Sequence, residues 1–171
     1  MLPRFIHIVA TLALAAISLG NSFGEGIYHL NDILANLDRF NGAVNGYKGP
    51  ADLPSVNSAF DQVDNSIGKA SATLNKYPKL SAEECASFRG AAFIVHDKAV
   101  PILANTAQKM KAMYIPLFKS MMQAKATKSR SEYVALLKKI QELCPGPNPD
   151  PLSKATEGID AGFLEVIQNF R

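Results

Sequence analysis

Residues 81–114, SAEECASFRGAAFIVHDKAVPILANTAQKMKAMY, form the stretch that decides the fold. Ser81 and Glu84 have the spacing of a capping box, in which each side chain bonds a free backbone N–H at a helix start. Apolar residues then recur every three, four or seven positions in two rows, which predicts a helix with neighbours on two sides. The rows are Cys85, Phe88, Ala92, Val95, Ala99 and Ile102, and Phe93, Val100, Leu103, Ala107, Met110 and Tyr114. Pro101 cannot donate to the carbonyl of Asp97, so we expect a kink in this central helix.

Two helical patterns precede the central helix, from about Ile27 to Tyr47 and from about Pro54 to Tyr77. The second is the most regular in the chain, with apolar residues alternating at steps of four and three. The Asn-Gly pairs at 41–42 and 45–46 are hairpin signals, but no alternating apolar pattern flanks them, so we predict that the first helix continues through them.

Two more helices are predicted after the central one. The first runs from about Ile115 to Leu143, and its polar middle, residues 124–131, is expected to loosen or bend. A proline-rich connector at 145–151 separates it from a last helix that begins near Leu152. No β pattern or repeat occurs, so the sequence predicts an all-α fold: a five-helix antiparallel bundle with a Pro-kinked central helix.

Residues 1–20 have the features of a secretory signal peptide. Arg4 precedes an apolar run that ends in Ser18-Leu19-Gly20, which places small residues at the positions that a signal peptidase reads and predicts cleavage after Gly20. The run is short for a membrane span, although a signal anchor remains an alternative. We therefore expect a secreted, extracellular domain of residues 21–171, monomeric and without a transmembrane segment in the mature chain.

Cys85 and Cys144 are the two cysteines of the chain. An oxidising compartment favours a disulfide between them. If the third and fourth helices are antiparallel neighbours, both cysteines fall at the same end of the bundle. The alternative is two buried thiols.

The sequence gives little support for catalysis, metal binding or a cofactor. His29 and His96 lie in different predicted helices, and neither has a second metal ligand at a suitable spacing. His96 and Asp97 are adjacent helical residues, whose side chains point about 100° apart, so we expect a partly exposed histidine rather than an acid–base pair. The net charge of +3 is too small to indicate nucleic-acid binding.

One region combines methionines with positive charge, where the central helix passes into the next. Its methionines suit a surface that adapts to varied apolar partners, or they fill gaps in an irregular core. Its basic residues form either a solvated face or a positive collar around an apolar opening. The residues are Met110, Met113, Met121 and Met122, with Lys98, Lys109, Lys111, Lys119, Lys125, Lys128 and Arg130.

Several segments together resemble the fungal hydrophobic surface-binding protein A family, which includes cell-wall galactomannoproteins. They are LNDILANL at 30–37, AVNGYKG at 43–49, LSAEE at 80–84, VPIL at 100–103 and GIDAGF at 158–163. The resemblance covers nearly the whole mature chain. The cysteine pair is not part of the family pattern, and the Ser/Thr-rich anchored tail of the galactomannoproteins is missing.

The resemblance implies a secreted, non-enzymatic bundle, free in the medium or associated with the cell wall, that binds hydrophobic surfaces or holds fatty acids in an apolar tunnel between helices. The positive residues Lys109 and Lys119 would then face a lipid headgroup. The residues expected to line the tunnel are Phe60, Ile67, Leu74, Phe93, Leu103, Met110, Met122, Leu136 and Phe163. Each of them could equally belong to an ordinary dry core.

A second class of function fits the same features. A secreted interaction protein, such as an effector or an inhibitor resembling the pectin methylesterase inhibitor bundles, would also be helical and disulfide-bonded. Those inhibitors carry four cysteines in a fixed arrangement, and the two present here argue against that group.

Overall fold

The computed structural model describes residues 20–77, 79–110, 116–146 and 150–169, with all side chains except those of residues 20–23, 116 and 117. Five α-helices and no strand occur within these ranges, which confirms the all-α prediction. The helices are α1 (Gly20–Gly46), α2 (Leu53–Leu74), α3 (Ala82–Met110), α4 (Pro116–Leu143) and α5 (Pro151–Gln168), with a 3₁₀ turn at Pro50–Asp52. The predicted signal peptide, apart from Gly20, lies outside the described residues.

The start of α3 has the predicted capping box. The Ser81 backbone N–H donates to Glu84 Oε2 at 2.8 Å, and the Glu84 backbone N–H donates to Ser81 Oγ at 3.2 Å. The helix continues across Pro101, whose side chain is exposed. The carbonyl left without a donor therefore lies on the solvent side of the bundle, where water can bond it.

The five helices alternate in direction along the chain. Late residues of α1 contact early residues of α2, as in antiparallel helices. In the pairs α1–α3, α3–α5 and α2–α4, early residues contact early residues and late residues contact late ones, as in parallel helices. Examples are Phe40 with Phe60, Asp38 with Lys98, Arg89 with Asp150, Leu103 with Gly162, Lys125 with Asp61, and Lys128 with Asp64. Consecutive helices are thus antiparallel, as predicted, and helices of the same direction lie side by side.

These directions give two layers. Helices α1, α3 and α5 form one layer, with α3 between the other two, and α2 and α4 form the second. The predicted central position of α3 follows, and its first apolar row is buried from Phe88 to Ile102. Helices α3 and α4 contact each other much less than either contacts α5, so their link depends largely on one end of the bundle.

That end is held by a disulfide between Cys85 and Cys144, whose Cα atoms are 5.2 Å apart. The prediction of a bridge at one end of two antiparallel helices is confirmed. Arg89, one turn after Cys85, donates to the Cys144 carbonyl at 3.0 Å and to Asp150 Oδ2 at 2.9 Å. Asp150 in turn accepts from the Leu152 backbone N–H at 2.9 Å and so caps α5. We call this the disulfide end.

Three local predictions need correction. Helix α1 begins at Gly20 rather than near Ile27, and α2 ends at Leu74, before the turn that contains Tyr77. Helix α4 is continuous through its polar middle, which was expected to loosen or bend. Ala126 and Ser129 are fully buried there, and the polar groups bond to α2, so interhelical contacts hold this stretch in the helix.

Candidate functional site

The nine residues expected to line a tunnel all belong to one buried apolar cluster. Eight are buried, with exposed fractions of 5% or less, and Phe93 is partly buried against them. They come from α2 (Phe60, Ile67, Leu74), α3 (Phe93, Leu103, Met110), α4 (Met122, Leu136) and α5 (Phe163). The structure thus brings them together in the interior.

Helix α1 contributes buried residues to this interior that the sequence analysis did not choose. Ile33 and Val44 are fully buried, and Phe40 packs edge-on against Phe60 with ring centroids 5.2 Å apart. Their spacing of seven and four is that of an apolar stripe on a helix. That spacing does not show whether an apolar stripe faces the centre of the bundle or only one neighbouring helix.

Few polar side chains of the described residues are buried in the interior, and two of them are bonded within their own helix. The hydroxyl groups of Ser66 and Thr106 each donate to a carbonyl one turn earlier, at 2.8 Å. Burial raises the pKa of Tyr133 well above its usual value, so this phenol stays neutral. These walls suit a hydrocarbon chain and not a buried ion.

The methionines are divided between the interior and the surface. Met110 and Met122 are 1% exposed, whereas Met121 is 39% exposed. They lie at the end of α3 and the start of α4, opposite the disulfide end, and we call this the methionine end. Met113 lies outside the described residues.

Most of the described basic residues in this region are paired with acids from other helices. Lys98 bonds Asp38 of α1, Lys125 bonds Asp61 of α2, Lys128 bonds Asp64 of α2, and Arg130 bonds Asp160 of α5. The idea of an uncompensated positive collar is therefore wrong for these four. Their acidic partners lie 30 to 64 positions away in sequence, outside residues 98–131, which contain no Asp or Glu.

Two candidate headgroup residues lie near the methionine end. Lys109 is exposed in the last turn of α3, and Lys119 is half-buried in the first turn of α4. A positive side chain near a helix C-terminus complements the helix dipole, which suits Lys109. Lys111 lies outside the described residues.

The histidines belong to no metal site among the described residues. His96 Nδ1 lies 2.9 Å from Asp97 Oδ1, so the contact between these neighbours, which we expected not to form, is present. The carboxylate is 79% exposed, and the pair lies on the outer surface. His29 is 3.8 Å from Glu25. Across the described residues no group of three or more His, Cys, Asp or Glu side chains could hold a metal ion.

Three clefts between described residues lie on the surface, and most of the residues that line them are polar or charged. Their volumes are about 380, 450 and 400 Å³. They lie beside Arg130 and Asp160, beside Asn41 and Asn105, and beside Asp64. None of these three contains any of the nine interior residues. In the described part of the chain, no helix has the length and apolar character needed to cross a membrane.

Comparison with known proteins gives one family and a group of similar structures. The model of a family described as hydrophobic surface binding protein A matches residues 27–142. No curated protein sequence gives a significant match.

Three solved structures share the fold. AfMP4p in complex with palmitic acid has a TM-score of 0.78 at 18% identity, over 87% of this chain and 99% of that one. Ligand binding domain 1 of Penicillium marneffei MP1, complexed with arachidonic acids, gives 0.75 at 17% identity, over 84% and 95%. Domain 2 of the same protein, complexed with multiple arachidonic acids, gives 0.76 at 17% identity, over 90% and 97%.

Proposed function

The chain belongs to the hydrophobic surface binding protein A family, and from that premise we propose that it binds fatty acids or related lipids through the apolar interior between its helices. The observation that carries the proposal is the single buried cluster to which all five helices contribute. The same fold is present in proteins solved with palmitic and arachidonic acids, which supports this use of the interior.

Magnitudes indicate which groups determine the affinity. Transfer of a sixteen-carbon tail from water is favourable by about 0.8 kcal/mol per CH₂, or about 12 kcal/mol before the costs of association. An exposed lysine–carboxylate pair adds only about 0–1 kcal/mol. We therefore propose that the nine interior residues set the affinity and that Lys109 and Lys119 orient the headgroup.

We extend the proposal to a secreted, non-enzymatic protein. The signal-peptide pattern of residues 1–20 supports export. The Cys85–Cys144 disulfide is also typical of proteins that fold in oxidising compartments. Family membership supports a binding role without catalysis, and an extracellular position, with or without association with the cell wall, fits the same family.

The decisive experiment has two arms. Purified protein is first extracted with organic solvent, and mass spectrometry of the extract identifies any lipid that it carried. In one arm the delipidated protein is then titrated with palmitic acid, and in the other it is mixed with hydrophobic beads. Saturable binding of the fatty acid supports the interior site. Adsorption to beads alone overturns the interior site and leaves surface binding. Failure of both arms overturns the proposed function.

A further inference from the structure

The interface between α2 and α4 is joined by a row of polar bonds. Lys125 Nζ donates to Asn57 Oδ1 at 2.7 Å and also bonds Asp61. The Ser129 hydroxyl donates to Asp64 Oδ1 at 2.7 Å, and Lys128 bonds the other oxygen of the same carboxylate. We call these six residues of the two helices the latch: Asn57, Asp61, Asp64, Lys125, Lys128 and Ser129.

The latch covers part of the proposed lipid site. Along α2 its residues alternate with Phe60, Val63 and Ile67, and along α4 with Met122 and Ala126, all of which are buried. Five of the nine interior residues belong to α2 or α4. Separation of these two helices would therefore lead directly to the acyl-binding region.

The far end of α4 is fixed, whereas its first half is held at this interface by the latch. The disulfide and the Arg89 bond to the Cys144 carbonyl fix the last turn to α3. Arg130 bonds both oxygens of Asp160 at 2.7 and 2.9 Å and keeps the middle of α4 against α5. A separation of the first half of α4 from α2 would therefore leave these attachments intact.

Two other interfaces are less suited to opening. Helices α1 and α2 pack against each other far more extensively than α2 and α4 do, and the rings of Phe40 and Phe60 are in contact there, so opening would expose more hydrocarbon to water. Between α3 and α5 the helices approach closely at glycines: a Cβ built on Gly158 or Gly162 would lie 3.0 Å from His96 or 3.1 Å from Leu103. Latch groups, by contrast, can exchange their partners for water, since Lys125, Lys128 and Asp61 are all partly exposed.

We propose that the α2–α4 interface is the route by which an acyl chain enters and leaves, and that the latch sets the rate of exchange. The inference rests on the proposed function, because it assigns a route to the same interior site. The latch makes contact only across the closed interface, so its loss changes both rates of exchange and leaves the affinity nearly unchanged.

The test is stopped-flow measurement of uptake and release of palmitic acid that carries an environment-sensitive fluorophore. Lys125→Met with Lys128→Met removes both positive charges of the latch. The matched control is Lys98→Met with Asp38→Asn, which removes an ion pair from the α1–α3 interface. We expect the latch variant to raise both rates by about three- to tenfold, with Kd changed less than twofold, and the control to match the wild type.

A charge swap and a salt series keep the test independent of folding defects in any one variant. Asp61→Lys with Lys125→Asp keeps an ion pair at this position with the two charges exchanged between the helices. This variant is expected to take up and release palmitic acid as slowly as the wild type. Exchange by the wild type is expected to accelerate with salt, because screening weakens partly exposed pairs. If the latch variant, the control and the wild type exchange at equal rates and salt has no effect, the route is wrong while lipid binding stands. If the wild type binds no fatty acid, the proposed function is wrong, and the proposed route is wrong with it.

Discussion

Arg89 and Asp150 join three helices at one point, although they lie 61 positions apart in sequence. The guanidinium donates to both oxygens of the carboxylate and to the carbonyl of Cys144, and the same carboxylate caps α5. Both side chains are more than four-fifths buried. A bidentate pair with this burial is stronger than a surface ion pair and fixes the entry to α5.

Loss of the Asp150 carboxylate is expected to destabilise the protein and to change its response to acid. Asp150→Asn should lower the free energy of unfolding by about 1–3 kcal/mol near neutral pH, measured by urea denaturation. The Arg89 hydrogen bonds hold the pKa of Asp150 below its ordinary value of 3.8. The stabilisation is therefore present above about pH 3.8 and lost as pH falls through the lowered pKa. The variant should lose part of the wild-type decline in acid, and an equal decline in both proteins would contradict this assignment.

The disulfide is expected to make a larger contribution. It links cysteines 59 positions apart, and on the chain-entropy model a loop of that length stabilises by about 4 kcal/mol. Cys85→Ser with Cys144→Ser should lower the free energy of unfolding by about this amount. The comparison of oxidised and reduced wild-type protein is the internal control, and unchanged denaturation in both cases would be inconsistent with a stabilising bridge.

Two glycines in helices should respond in opposite directions to alanine. A Cβ on Gly26 would lie 2.6 Å from the Phe88 ring, which is fully buried, so Gly26→Ala should destabilise by about 1–3 kcal/mol. Gly68, inside α2, has no atom within 4 Å of that position. Gly68→Ala should therefore stabilise by about 0.5–1 kcal/mol, because alanine favours the helix. Thermal denaturation of both variants measures the contrast, and equal shifts would refute it.

A bulky side chain in the interior is expected to block the lipid site. Ile67 is fully buried in α2, and Ile67→Trp should greatly reduce palmitic acid binding while circular dichroism still shows a helical protein. Ala72→Trp, on the exposed face of the same helix, is the matched control and should bind normally. Normal binding by both variants would remove Ile67 from the site. Leu103→Trp is the corresponding test in α3, where the close approach of Gly162 leaves less room for the larger side chain.

The candidate headgroup residues should affect affinity only weakly. Lys109→Gln with Lys119→Gln is expected to weaken fatty acid binding by less than about thirtyfold, since two lysine–carboxylate pairs near the surface contribute about 0–1 kcal/mol each. Titration with palmitic acid and with its methyl ester gives the measurement. A much larger loss, confined to the acid, would show that charge and not the apolar interior dominates.

Features that depend on residues close in sequence were predictable. Ser81 and Glu84 form their capping box because both partners lie in one turn, and the stripe from Val56 to Leu74 is buried as its spacing indicated. The pairing of Cys85 with Cys144 followed because the chain has only two cysteines.

Features that depend on which helices become neighbours were not predictable. The spacing of Lys125 and Lys128 shows that they share a face of α4, but nothing local shows that this face meets Asp61 and Asp64. For the same reason the polar middle of α4 was expected to be irregular, although Ser129 is buried there by a bond to α2. The contact between His96 and Asp97 was missed because side-chain rotation can close the angle between adjacent helical positions.

The bridge between Cys85 and Cys144 encloses nearly all of α3 and the whole of α4 within one covalent ring. A protease that cuts one peptide bond inside this ring opens it without releasing a fragment, so the two pieces still travel as one molecule. Nicked protein should therefore keep its mobility on a non-reducing gel and separate into two bands only after a thiol is added. In surroundings rich in digestive enzymes, such a ring would let a molecule survive a single cut as one covalent unit.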